Sequence, residues 1–175
     1  GTATADSDFV TKTGTLTMNR MTVGRVFAGG ETHEVEEWGG RGAVDGVALN
    51  ECLLAGVLCN EARLVEGGGD GAHAEGDPTE VALLKAGEAA GIEACAARES
   101  MPRVDMIPFD SGHMFRATLH KTAGGAVIYQ VGAVERVLER CGRMMAGNGA
   151  EVPLDLEGVR AAAEAMAREG LRVLA

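Results

Sequence analysis

The sequence predicts an α+β domain built on a mostly antiparallel, twisted β-sheet flanked by helices. Short segments of strand character follow one another across tight turns, as in "RVDMIPFDSGHMFRATLH" and "GAVIYQV". That pattern makes a meander rather than the β-α-β alternation of a doubly wound fold. Helix-period segments come as a few long excursions between the strands. The length of 175 residues suits one domain that buries most of its apolar surface, and is too short for a comfortable second.

Taken in order, "MTVGRVFAGGETHEVEEW" (21–38) is a hairpin, because the pair Gly29 and Gly30 supplies the positive φ a tight turn needs. From Val47 to Val65, Leu49, Leu53, Val57, Leu58 and Leu64 recur at helical spacing, which predicts a helix of about four turns. The run "EGGGDGAHAEGD" (66–77) lacks the closing Lys-Ser/Thr of a P-loop and fits no G-x-G-x-x-G pattern, so it reads as a surface loop. In "GDPTEVALLKAGEAAG", Asp77 can cap a helix, Pro78 suits its first position, Glu80 stands at the capping-box position and Gly91 marks its end. Three strands follow at 103–109, 113–120 and 125–131, joined at "DSG" and "TAGG". Helices beginning at Ala133 and Leu156 complete the chain, the second ending at Gly170 before the apolar "LRVLA".

Hydrophobic residues at 46% and charged residues at 24% are globular values, and no segment approaches the roughly 18 to 20 apolar residues of a membrane helix. A soluble chain is expected. Its opening "GTATADSDF" has neither the basic start nor the apolar core of an export signal, so a cytoplasmic location is expected too. A net charge of −10 and 3% aromatic content argue against a nucleic-acid partner, whereas a small phosphorylated ligand needs only a local basic cluster. The spacing of Cys52, Cys59, Cys95 and Cys141 resembles no zinc signature, and they read as buried free thiols. His33, His73, His113 and His120 are scattered, and no metal site is expected.

"VTKTGTLTMNRMTV" (10–23) is nearly a phosphorylation loop, with Thr11 where an aspartate should precede Lys12. A carboxylate is ionised at neutral pH and can attack unaided, but a threonine hydroxyl needs a base, and none is close in sequence. Asp6 and Asp8 are displaced by three or more residues and lose the placement relative to Lys12 and Thr13. No catalytic residue is expected here, and the segment reads as a connection into the first strand.

Separated stretches, in a fixed order, together resemble one family. "TKTGTLTMNRMTV" is similar to a phosphorylation loop and its exit, "CNEARL" to a "CNDA" helix, and "GDPTEVALL" to a near-diagnostic segment. "IPFDSGHMFRATLH" resembles an adenine-site strand and turn, "VGAVERVLERC" resembles "KGAPERVLERC", and "EGLRVLA" the return to a phosphorylation domain. The family is the nucleotide-binding (N) domain of type II P-type cation-transporting ATPases, the calcium, sodium/potassium and proton pump branch.

The resemblance implies an adenine pocket. Phe109 would stack on the base, Glu80 and Ser111 would lie at its polar edge, Gly132 would admit the ligand to the backbone, and Arg172 would face the phosphates with Leu174 behind. Asp110, Arg116 and Val131 are further candidates. Each main role has a plainer counterpart: Phe109 as core filling, Glu80 as a helix cap, Gly132 as a helix start, Arg172 as the partner of a surface carboxylate. Val131 and Met114 replace two family lysines, and at roughly 1.5 to 3 kcal/mol for each charged hydrogen bond this predicts weak, roughly millimolar nucleotide binding. Arg116, two residues from Met114 along a strand, would point to the same face and return positive charge.

Read through the family, residues 1–20 are a linker with the remnant of the phosphorylation loop, 21–170 the nucleotide-binding domain and 171–175 the return hinge. The domain would bind ATP with Mg2+, swing about hinges near 17–22 and 170–175, and present the γ-phosphate to an aspartate of a separate phosphorylation domain. Actuator and membrane domains would be its other partners in the pump. The isolated chain, with Thr11 at the aspartate's position, is expected to be an inactive monomer. Two other readings are a stand-alone phosphotransferase or phosphatase, and a degenerate interaction domain that binds no nucleotide.

Overall fold

In the computed structural model, which describes residues 8–13, 21–35, 45–65 and 73–175, every paired strand runs antiparallel to its neighbour. Strand β1 (Asp8–Thr13) is followed by β2 (Met21–Ala28) and β3 (Glu31–Glu34), helix α1 (Val47–Leu58), and the short strands β4 (Arg63–Val65) and β5 (His73–Glu75). Helices α2 (Pro78–Ala89) and α3 (Ala94–Ser100) lead into the meander β6 (Arg103–Asp110), β7 (Phe115–Thr122) and β8 (Gly125–Gly132). Helix α4 (Val134–Leu138), strands β9 (Arg143–Met145) and β10 (Glu151–Pro153), helix α5 (Leu156–Arg168) and strand β11 (Arg172–Leu174) complete the order. One sheet is ordered β11-β1-β2-β3, another β6-β7-β8, and β4–β5 and β9–β10 form ribbons. This is the α+β, mostly antiparallel class the sequence predicts.

The β2–β3 hairpin turns where expected, with φ of 65° at Gly29 and 89° at Gly30, the pair of positive values that matches the twist of the flanking strands. Helices α1 and α2 pack on β2, so that Val23, Val26, Leu49, Leu53, Leu83 and Ala86 share the main core. Beneath the α1–α2 pair lies a smaller cluster of Val57, Ala62, Leu84 and Ala94. Beside α4 and α5, a third gathers Val134, Leu138 and Val159.

Several elements differ from expectation. Helix α1 stops at Leu58 because Asn60 turns the chain out: its amide donates to the Gly56 and Glu80 carbonyls at 2.9 and 2.8 Å, and its Oδ1 accepts from Ala62 N–H at 2.7 Å. An Asn that satisfies nearby backbone groups competes with helix continuation. Leu64 therefore lies in β4, and residues 73–75 of the expected loop pair with that strand. The rest of that loop, 66–72, and residues 36–38 of the expected hairpin lie outside the described residues. Residues 8–13 form a paired strand rather than a bare connection, with Thr11 opposite Arg172 on one side and Val23 on the other. Helix α3 and the β9–β10 ribbon were not foreseen. Of the four cysteines, Cys52 and Cys59 are buried, but Cys95 on α3 is exposed and Cys141 is half-buried.

Candidate functional site

The chemistry-bearing residues converge where the N-terminus of α2, the end of α1, the meander and β11 meet. Asp77 starts the arrangement by accepting from the Thr79 and Glu80 N–H groups at 2.9 and 3.4 Å, with Pro78 in the first turn. The expected cap is therefore present, but Glu80 does not reach back to close a capping box. Its carboxylate instead accepts from Glu61 N–H at 3.2 Å and from the Arg116 guanidinium, which also holds Glu61 at 2.7 Å. Glu80 thus points across the gap between α2 and the end of α1.

Phe109 is positioned by an irregularity in β6. The register with β7 slips between Ile107 and Asp110, where Pro108 has no N–H to give to a ladder. Such a bulge re-aims a side chain, and Phe109 is left 57% exposed, free to offer a ring face. The turn beyond is held by Asp110, whose Oδ1 accepts from Gly112 N–H at 2.7 Å and whose carbonyl accepts from Met114 N–H at 2.7 Å. Met114 then takes φ 57°. Because Met114 lies in this turn and not in β7, the argument that strand alternation puts it on one face with Arg116 does not hold.

Gly132 closes the other side. It faces Phe115 across β7–β8, and a Cβ there would sit 2.5 Å from the Met114 carbonyl oxygen and the Phe115 Cβ. Its N–H donates to the Ala175 carbonyl at 2.8 Å and its carbonyl accepts from Ala175 N–H at 3.0 Å, tying β8 to the segment after β11. The need for glycine thus comes from the neighbouring strand.

These elements enclose a cavity of about 260 Å³, onto which Glu80, Phe109, Arg116, Val131, Gly132, Arg172 and Leu174 all border. Ser111 and Asp110 do not border it; both are exposed in the turn. Sequence reasoning missed Cys59, Thr79 and Leu83 as lining residues and saw Asp77 only as a cap. The signal for Cys59 was its place in "CNEA", just where α1 ends. Burial pushes the Cys59 thiol up from its ordinary value, so it presents a neutral, weakly polar surface. Ligand pockets for larger molecules run to roughly 300–1,000 Å³, so this cavity has room for one flat ring system and leaves anything attached to it outside. Its charges are nearly balanced, since Arg116 is held by two carboxylates and carries little net positive potential.

The sequence model of the P-type ATPase cytoplasmic domain N matches residues 48–175. The chain belongs to this N-domain family. It is 43% identical over 181 aligned residues to the cation-transporting ATPase pma1 of Synechocystis sp., covering 94% of this chain and 20% of that protein. With calcium-transporting ATPase 1 of Bacillus cereus it shares 32% over 165 residues, covering 93% of this chain and 18% of the relative. With the sodium/potassium-transporting ATPase subunit alpha-2 of Gallus gallus it shares 34% over 167 residues, covering 89% and 16%. The N domain therefore spans about a fifth of the length of the relatives it matches. Among its described residues no helix is long and apolar enough to cross a membrane.

Proposed function

We propose that this N domain binds the adenine ring of a nucleotide and, within a whole cation pump, presents ATP to an aspartate on a separate phosphorylation domain. The observation that carries the proposal is the meeting of Phe109, Glu80, Gly132, Arg172 and Leu174, from separate parts of the chain, around one cavity of ring size. An exposed aromatic face grips a base. The Glu80 carboxylate has lone pairs beyond those used by Arg116 and Glu61, and accepts from an exocyclic amino group. Ser111, in the adjoining turn, comes to the base edge only if that turn moves toward the ligand. Arg172, exposed at the rim, meets the phosphates.

Mg2+ is part of this function as the ion carried by ATP. Among the described residues no three His, Cys, Asp or Glu side chains gather as a metal site, and of the two carboxylates at the cavity Glu80 is already held by Arg116. No step is therefore assigned to a protein-bound metal. By the sequence resemblance Thr11, which lies in β1, takes the place of the phosphorylated aspartate, and on this reading phosphoryl transfer belongs to the rest of the pump, as do the cation and its path.

The test is an NMR titration of the labelled domain with AMP, ADP and ATP, with and without Mg2+. Shifts clustered at Glu80, Phe109, Gly132 and Leu174, alike for the three nucleotides, are expected for base reading with little help from phosphate. Silence up to about 10 mM, a limit weaker than roughly 3 kcal/mol, overturns the proposal and leaves the interaction-domain reading. Magnesium-dependent phosphate release by the isolated chain would overturn its assignment as a binding module.

A further inference from the structure

Beyond the end of α1 lies a second cleft of about 370 Å³, sharing no lining residue with the first and bordered by Asn60, Glu61, Arg63, Arg98, Arg103 and His120. Three guanidinium groups meet there in a chain of net charge −10. None of the three forms an ion pair within the described residues. The Glu61 carboxylate at the cleft is already held by Arg116. His120 donates from Nδ1 to Met101 O at 2.8 Å, since a carbonyl can only accept, its Nε2 lies 2.9 Å from the Thr118 hydroxyl, and burial disfavours its charged form.

A purely structural role accounts for part of the cluster. Arg98 Nη2 donates to the Val57 and Ala62 carbonyls at 3.3 and 3.0 Å, and Arg103 Nη2 to those of Leu58 and Asn60 at 3.4 and 2.6 Å. Cations that satisfy the last carbonyls of α1 are what a helix C-terminus favours. This role leaves two facts over. Arg98 Nε is buried with no acceptor, a state that folded proteins rarely leave unmet. The Arg63 guanidinium donates no hydrogen bond to a described residue, although Arg63 stands opposite Glu75 across β4–β5, and it brings a third positive charge that helix capping does not require. Burial first, and then the nearness of Arg103 and Arg63, hold the Arg98 guanidinium below its ordinary value, with Cys95 and Glu80 offsetting only part of this.

We propose that the Arg63–Arg98–Arg103 cleft is a site for a small oxyanion of the phosphate class, distinct from the nucleotide cavity. The guanidinium fork matches the spacing of oxygens on a tetrahedral anion, and the Arg63 fork and the Arg98 Nη1 edge supply the donors, Arg103 Nη1 being turned to Met106 Sδ at 3.6 Å. Because Asn60 and Glu61 border this cleft and bond Glu80 and Arg116 of the first cavity, an anion held here bears on the segment that positions those two side chains.

The experiment is an NMR titration of the 175-residue chain with inorganic phosphate at constant ionic strength, with chloride as the control. The expected result is a saturable shift of the Ala62, Arg63 and Arg98–Arg103 amides and of the Arg98 Nε–H, with Phe109 unmoved. Arg98 and Arg103 variants would disturb the end of α1, so the variant of choice is Arg63→Gln, exposed and outside those contacts. It should weaken phosphate binding about tenfold, the loss of one charge-assisted contact, with an unchanged urea midpoint. Phenyl phosphate forms a second arm: binding of both compounds points to an esterified phosphate, binding of inorganic phosphate alone to a free ion, and either supports the site. Shifts that grow linearly and match chloride, or an Arg63→Gln variant that binds as the parent does, would overturn it.

Discussion

Arg116 is the residue whose replacement says most about the site. Its guanidinium bridges Glu80 and Glu61, and the side-chain exposures are 12% for Arg116, 19% for Glu80 and 50% for Glu61. The Glu61 arm is half in water, where a pair contributes about 0–1 kcal/mol. The Glu80 arm is nearly dry, and removing one partner of a fully buried pair costs about 3–5 kcal/mol. In Arg116→Met, Glu80 keeps the Glu61 N–H, and the buried, unpaired Arg116 Nε is relieved, so the expected loss is about 2 kcal/mol. For a chain of this size that lowers Tm by about 4–8 °C. Urea denaturation of the parent, Arg116→Met, Glu80→Gln and the double variant forms a cycle, with a coupling of about 1–2 kcal/mol expected because the neutral Gln no longer needs the cation. Additive single losses, or an Arg116→Met variant as stable as the parent, would refute the assignment of Arg116 as the counter-charge of Glu80.

Gly132→Ala places a Cβ 2.5 Å from the Met114 oxygen and the Phe115 Cβ, which forces β7 and β8 apart; a loss of about 1–3 kcal/mol in urea unfolding is expected. The Cys59 thiol is pushed up by burial, so the unfolded chain loses this proton first and stability falls as pH rises above about 8.5; Cys59→Ala should flatten that fall, and a thiol reagent at pH 8 should reach the exposed Cys95 well before Cys59. His120 is held below its ordinary value chiefly by burial, so its contribution is full above about pH 6.5 and is lost as pH falls and the unfolded state takes the proton; urea midpoints between pH 5 and 7 should slope less in His120→Gln. Val131 borders the cavity beside Phe109, and if the proposed function holds Val131→Lys should tighten ATP about tenfold and AMP far less, as read by the same titration.

What the sequence made legible was local. The Gly29–Gly30 turn, the Asp77–Pro78 helix start and the Gly91 stop each depend on residues within a few positions, and the structure places all of them as expected. The end of α1 was misjudged because Asn60 acts on Glu80, twenty residues away, and apolar spacing alone carried the helix on to Leu64. Strands β9 and β10, three residues each, are too short to show alternation. At the site, Phe109 came from resemblance, yet Pro108 beside it is the local feature that breaks the β6–β7 register. The same-face argument for Met114 and Arg116 failed because strand alternation was assumed one turn too early, and the pairing of Arg116 with Glu80 spans 36 residues and leaves no periodic trace.

That pairing changes how the loss of the two lysines is understood. Counting residues, Arg116 stands in for one missing cation; by geometry it does not, because two carboxylates already consume its charge. Positive charge without carboxylate partners among the described residues lies instead in the cleft bordered by Asn60 and Glu61, at Arg63, Arg98 and Arg103. A nucleotide held at Phe109 would therefore find its base recognised and its phosphates met mainly by Arg172 at the rim. Affinity that comes from stacking and one carboxylate is nearly independent of salt, whereas affinity drawn from a phosphate clamp falls as salt rises. The salt dependence of AMP and ATP binding thus separates the two ends of the ligand, and equal, shallow slopes for both are what this distribution of charge requires.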